Sequence, residues 1–130
     1  VIADTGFRFE DPALVAEICR HLKPGTVTSS EIAEIRAECE AERAVCLACD
    51  DGVIVIALQP YGAALEMFIW LGVALRYGAF ERQGPALLAL ARDLGAQTIA
   101  FHARRRGWSR RLGLEWTRRG NDFVRRVDGR

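Results

Sequence analysis

No apolar run in this chain approaches the roughly 20 residues that a membrane-spanning helix needs. The N-terminal stretch has no basic region leading into an apolar segment, so no secretory leader is expected. No phosphate-cradling GxxxxGK[ST] loop and no GxGxxG fingerprint occurs, which removes the commonest nucleotide-binding classes. There are only two histidines, His21 and His102, and neither sits in a serine–histidine–acid pattern. Internal repeats, low-complexity tracts and linkers are absent. Residues 1–130 are therefore expected to form one domain with its own core, in a cytoplasmic setting. Lysine is nearly missing as well: of 18 basic side chains only Lys23 is one. The cations are arginines, which grip planar anions such as phosphate and carboxylate with paired hydrogen bonds.

What is present is unevenly distributed. The overall charge is +1, but residues 1–60 carry about −6 and the remainder about +7. Most of the excess lies in Arg104, Arg105, Arg106, Arg110, Arg111, Arg118, Arg119, Arg125, Arg126 and Arg130. A solvated basic face accounts for such a run, and nucleic acid is the partner class it leaves open, although no recognition motif accompanies it. The four cysteines are Cys19, Cys39, Cys46 and Cys49. Cys46 and Cys49 have the spacing of a metal or redox pair. They fall in an extended stretch, Ala44 to Cys49, where residues three apart point to opposite faces. No second pair stands at ligand spacing, so no metal site is expected and the thiols read as buried and inert.

Periodicity divides the chain cleanly. Ile2 to Phe9 reads as an edge strand. Asp11 and Pro12 open a helix with an apolar stripe of Leu14, Val15, Ile18, Cys19 and Leu22, stopped by Lys23-Pro24-Gly25. Thr28, Ser29 or Ser30 caps a second helix, whose stripe is Ile32, Ile35 and Cys39 and whose carboxylates face water. Ala44–Cys49 and Val53–Leu58 form a hairpin turning at Asp51-Gly52, and the second strand is apolar on both faces, as in a central strand. A loop over Gln59–Ala63 leads into a further central strand, Leu65–Leu75. A loop over Arg76–Pro85 precedes a helix from Gly84 to Gly95, with Pro85 near its start. Gln97–His102 is a strand, Trp108–Leu114 a short helix, and a last hairpin turns at Gly120-Asn121 between Leu114–Arg119 and Asp122–Val127.

This order resembles the GNAT N-acetyltransferase superfamily. The most specific local piece is Ser109-Arg110-Arg111-Leu112-Gly113-Leu114, similar to the family's Tyr-x-x-Leu-Gly-Phe ending of its last helix. The resemblance implies an α+β domain. Its mostly antiparallel mixed sheet would have six or seven strands, with about four helices and a splayed fourth and fifth strand. The donor arm of acetyl-CoA would lie in the wedge between those strands. Backbone amides near Leu71, Gly72 and Val73 would hold the acyl group, and Arg82, Gln83 and Gly84 would supply anion contacts for its phosphates at the following helix.

The same comparison marks departures. Arg76–Pro85 lacks the family's Arg/Gln-x-x-Gly-x-Gly/Ala loop, Pro85 removes an amide donor, and Glu81 adds a negative charge. Ser109 stands where many members carry a proton-donating tyrosine. For a base, Glu66 (raised in pKa by burial) and His102 are the candidates. The expected activity is acyl-CoA-dependent transfer to an amine. The alternative is a non-catalytic module resembling the GNAT-like proteins of bacteriophages, virion-associated in that case. It would bind a protein partner or a second copy, with Trp108, Trp116 and Phe80 as anchors.

Overall fold

The computed structural model describes residues 5–102 and 107–128. The strand expected from Ile2 therefore falls partly outside the described residues, as do Arg104, Arg105, Arg106 and Arg130. The elements run β1 (Arg8–Glu10), α1 (Pro12–Cys19), α2 (Ser29–Glu40), β2 (Val45–Cys49), β3 (Gly52–Tyr61), β4 (Ala64–Ala74), α3 (Ala79–Asp93), β5 (Thr98–His102), α4 (Trp108–Arg111), β6 (Trp116–Arg119) and β7 (Asp122–Arg126). The seven strands form one sheet in the order β1-β2-β3-β4-β5-β7-β6. The β4–β5 pair is parallel and the other pairs are antiparallel.

Two apolar layers flank the sheet. On one side α1 and α2 contribute Val15, Cys19 and Ile35, which pack on Cys46, Ala48, Val53, Val55, Leu71 and Val73. On the other side α3 brings Leu87, Leu90 and Ala91 against Leu47, Cys49, Ile56, Met67, Ile69, Ile99, Phe101 and Phe123. Cys46 and Cys49 thus lie in opposite layers, as their spacing in a strand requires. Val53 and Val55 face one layer and Ile54 and Ile56 the other, so β3 is covered on both sides.

Local signals account for most boundaries. The Asp11 carboxylate accepts the Ala13 amide and Pro12 occupies the first helical position of α1. Thr28 caps α2 through the Glu31 amide at 3.1 Å, while Ser29 and Ser30 lie inside the helix. At the first turn of the sheet an added Cβ on Gly52 would stand 2.2 Å from the Val73 carbonyl oxygen, so only glycine fits.

Four expectations need correction. Strand β1 begins at Arg8, because Gly6 takes a left-handed φ of 80° and Phe7 turns into the α3-side core. Strand β3 does not stop at Leu58 but runs through Pro60 to Tyr61. Tyr61 and Ala64 flank a two-residue turn as a bonded pair, which makes Pro60–Leu65 an unbonded one. The missing amide of Pro60 then points past the end of β2, where the ladder needs no donor. Helix α3 starts at Ala79 rather than Gly84, so Pro85 lies inside it. The short helix α4 ends at Arg111 rather than Leu114.

Candidate functional site

The centre of the sheet contains a fork. β4 and β5 pair from Glu66–Thr98 to Ile69–Phe101, after which β4 continues alone on that side among the described residues. A bulge marks the spot: Val55 pairs with Leu71 and Ile56 with Ile69, leaving Trp70 as the extra residue. Beyond it the bonding pattern can be counted. The Leu75 amide donates to the Asp51 carbonyl at 2.8 Å. By antiparallel alternation Val73 and Leu71 bond to β3, and the N–H and C=O groups of Gly72 and Ala74 point to the side that β5 has left. Leu71 and Val73 are buried in the α1/α2 layer and Gly72 is exposed. Of the three, Gly72 is the one whose backbone faces the opening.

His102 is the next residue of β5 after the last β4 pair. Its Nδ1 lies 3.0 Å from Oδ1 of Asp122, its direct cross-strand neighbour on β7. That contact engages Nδ1 and leaves Nε2 as the other ring nitrogen, on a side chain that is half-exposed.

Glu66 is at the other end of the paired segment, level with Thr98 and so roughly 13 Å along the strand from His102. It is fully buried. Arg119 donates to both oxygens, at 3.0 and 2.7 Å, Thr98 Oγ1 donates at 2.9 Å, and Gln59 at 3.4 Å. Burial pushes the carboxyl up, but the Arg119 and Thr98 bonds outweigh it and hold Glu66 below its ordinary value. The expectation of a carboxylate raised by burial is thus reversed. Arg119 also lies over the Tyr61 ring, 4.1 Å from its centroid. Glu66 reads as the centre of a bonded network rather than as a base. Ser109 is exposed on α4.

The start of α3 differs most from the expected phosphate loop. Arg82, Gln83 and Gly84 are inside the helix, and the free amides of its first turn belong to Ala79, Phe80 and Glu81. Asp51, buried in the β2–β3 turn, takes Arg82 Nη2 at 2.6 Å and Gln83 Nε2 at 2.7 Å. Arg82 and Gln83 lower Asp51 to about 2. Glu81 is held below its ordinary value by Arg111, at 2.9 and 3.0 Å, and by its own backbone amide. Two internal carboxylates thus occupy the Arg82 and Gln83 side chains and the Glu81 amide, three of the donors that a bound phosphate would use.

Arg111 in turn stacks on Trp108, 4.4 Å from its centroid. Trp108 belongs to a cluster with Phe80, Phe101, Trp116 and Phe123, whose ring centroids are 5.0 to 5.9 Å apart. The expected anchors Trp108, Trp116 and Phe80 therefore pack on the α3-side core, each part-buried. Beside them runs a groove of about 230 Å³ bounded by Phe80, Gly84, Leu88, Arg111, Glu115 and Trp116.

Several C-terminal arginines are spent internally. Arg111 and Arg119 form ion pairs, Arg118 bonds the Gly120 carbonyl, Arg125 the Arg126 carbonyl, and Arg126 lies 3.8 Å from Asp128. Asp51 and Asp122 are the site residues that sequence reasoning missed. Asp122 had a local signal only for its place after the Gly120-Asn121 turn, opposite Arg119; its pairing with His102 on β5 is long-range. Asp51 had only its place in a turn. Among the described residues no three His, Cys, Asp or Glu side chains converge as metal ligands, and no helix is long and apolar enough to cross a membrane. No protein-family model matches the chain, and no curated protein matches it in sequence.

Proposed function

We propose that this chain is a GNAT-like domain that takes an acyl thioester in the β4–β5 fork and transfers the acyl group to an amine. One observation carries the reading: the backbone groups of Gly72 and Ala74, unbonded among the described residues, line the side of β4 from which β5 departs. An extended thioester arm would complete the ladder there as an added strand does. The amine lone pair attacks the thioester carbonyl carbon and His102 Nε2 accepts the amine proton, with Asp122 holding the ring. The C–S bond then breaks and the leaving thiolate takes its proton from water, because Ser109 is no acid at neutral pH. Orientation supplies much of the rate.

The filled α3 terminus sharpens the expectation. With Asp51 and Glu81 on the local donors, the nucleotide portion of acetyl-CoA adds little, and S-acetylpantetheine binds about as tightly. Calorimetric titration and thermal shift with both ligands test this. Stabilisation by both at millimolar concentration supports the reading, and Gly72→Pro, which removes the amide, abolishes it. No shift with either ligand sinks it.

A second reading is a non-catalytic module that binds a protein. It is favoured by the same internal carboxylates, by the closed Glu66 network, and by Leu58, Tyr61 and Leu65 exposed at the β3–β4 tip. Thioester binding without acylation of any amine offered would favour it.

A further inference from the structure

Cys39 and Cys46 stand apart from this chemistry. Their sulfurs are 3.7 Å apart, one on the last turn of α2 and the other on β2. None of the four cysteines is in a disulfide. Cys39 is half-buried and Cys46 buried, so a small molecule reaches Cys39 first. Cys49 cannot compete, since it lies in the opposite layer.

We propose that Cys39 and Cys46 form a thiol-modification site, which low-molecular-weight disulfides of the glutathione class convert reversibly into an intramolecular disulfide clamping α2 to β2. The Cys39 thiolate attacks one sulfur of the oxidant, forming a mixed disulfide and releasing one small thiol. The Cys46 thiolate then attacks Cys39 Sγ, the Cys39–Cys46 bond forms, and the second small thiol leaves. Two protein thiols are oxidised, one external disulfide is reduced, and both protein protons end on the released thiols.

Burial pushes both thiols up, Cys46 to about 12, so exchange is slow at neutral pH and quickens in alkali. The consequence falls on α2. Ile35 is its one buried side chain, with Ile32 and Cys39 partly covered, so the helix is held by few apolar contacts. A covalent tie at its C-terminal end removes its freedom to lift from the sheet.

The experiment incubates the native protein with oxidised glutathione at pH 8.5, followed by alkylation, trypsin and mass spectrometry. Cleavage after Arg36 and Arg43 separates the two cysteines, so the product appears as 37–43 linked to 44–76 with the loss of two hydrogens. The linkage persists in Cys49→Ser and vanishes in Cys39→Ser, a variant at a half-buried position that keeps its fold. Oxidation raises Tm by roughly 5–10 °C for so short a loop, slows amide exchange over 29–40, and is reversed by dithiothreitol. Glutathione left on Cys39 without resolution, a linkage through Cys49, or thiols that stay alkylatable would each overturn the proposal.

Discussion

Replacing Arg119 by alanine tests whether the Glu66 network is structural. The carboxylate of Glu66 is fully buried and accepts two hydrogen bonds from Arg119, at 2.7 and 3.0 Å. Breaking a buried ion pair by removing one partner costs about 3–5 kcal/mol, because the other charge is left uncompensated. Here Thr98 still donates at 2.9 Å, and the Arg119 side chain is 32% exposed, so water can enter its place. The expected loss is therefore smaller, about 2–3 kcal/mol. For a chain of this length that lowers Tm by roughly 8–12 °C. Glu66→Gln removes the charge but leaves a part-exposed arginine that hydrates, and costs about 1–2 kcal/mol. The double variant costs less than the two losses together, with a coupling of about 1–2 kcal/mol.

The pH dependence has a definite sign. A carboxylate whose folded pKa is lowered stabilises the fold above its unfolded pKa and loses that contribution as pH falls through the folded value. The gap between wild type and Arg119→Ala is thus full at pH 7, narrows as pH falls below the ordinary glutamate range, and closes only once Glu66 protonates in the wild type too. Urea unfolding at pH 7 and pH 3, followed by circular dichroism, measures it. A loss under about 0.5 kcal/mol, strict additivity in the double variant, or an unchanged gap at pH 3 would refute the reasoning.

Two further outcomes follow from the turn between β2 and β3. Gly52→Ala drives a Cβ to 2.2 Å from the Val73 oxygen, so the hairpin shifts; a loss of about 2 kcal/mol or more is expected by urea unfolding, and a neutral result would mean that the turn is not held against β4. Asp51→Asn breaks the contact with Arg82 and frees that cation at the start of α3. Its Tm falls, and the difference from wild type is present above about pH 4 and fades as pH drops through about 2, the lowered value of Asp51. The same variant should bind 3′,5′-adenosine bisphosphate more tightly than wild type in calorimetric titration; equal affinity would show that Asp51 does not stand in for an anionic ligand.

How far the sequence carried depends on the range of the signal. Short-range chemistry was legible: the Asp11 and Thr28 caps, the final turn at Gly120-Asn121, and the divergence of Cys46 from Cys49 each rest on neighbours within a few residues. Pro60 and Pro85 misled because a missing amide does no harm at an unbonded ladder position, and a helix with a strong apolar face tolerates one lost bond. The α3 stripe of Leu87, Leu90 and Ala91 supplies that face. The site was harder to see. Glu81–Arg111, Asp51–Arg82 and Glu66–Arg119 join residues 30, 31 and 53 positions apart. Nothing local distinguishes such a carboxylate from one that faces water, so Glu66 looked like a base and Arg82 and Gln83 like phosphate donors.

The bulge at Trp70 joins the two halves of that difficulty. In a regular strand residues of one parity share a face, yet Met67 and Ile69 lie in the α3 layer while Leu71 and Val73 lie in the α1/α2 layer. One inserted residue reverses the alternation, which is why β4 reads as apolar at both parities and why periodicity cannot locate the break. The reversal has a use. Past Trp70 the glycine at position 72 falls on the α3 face, opposite Ile54, where its lack of a side chain leaves space. It also falls at a register position whose backbone groups are turned from β3. Parity, exposure and bonding direction thus change at the same point, and β5 stops pairing there too. A strand that kept its alternation would have put Leu71 at that register position, with its side chain on the α3 face that the glycine now leaves open.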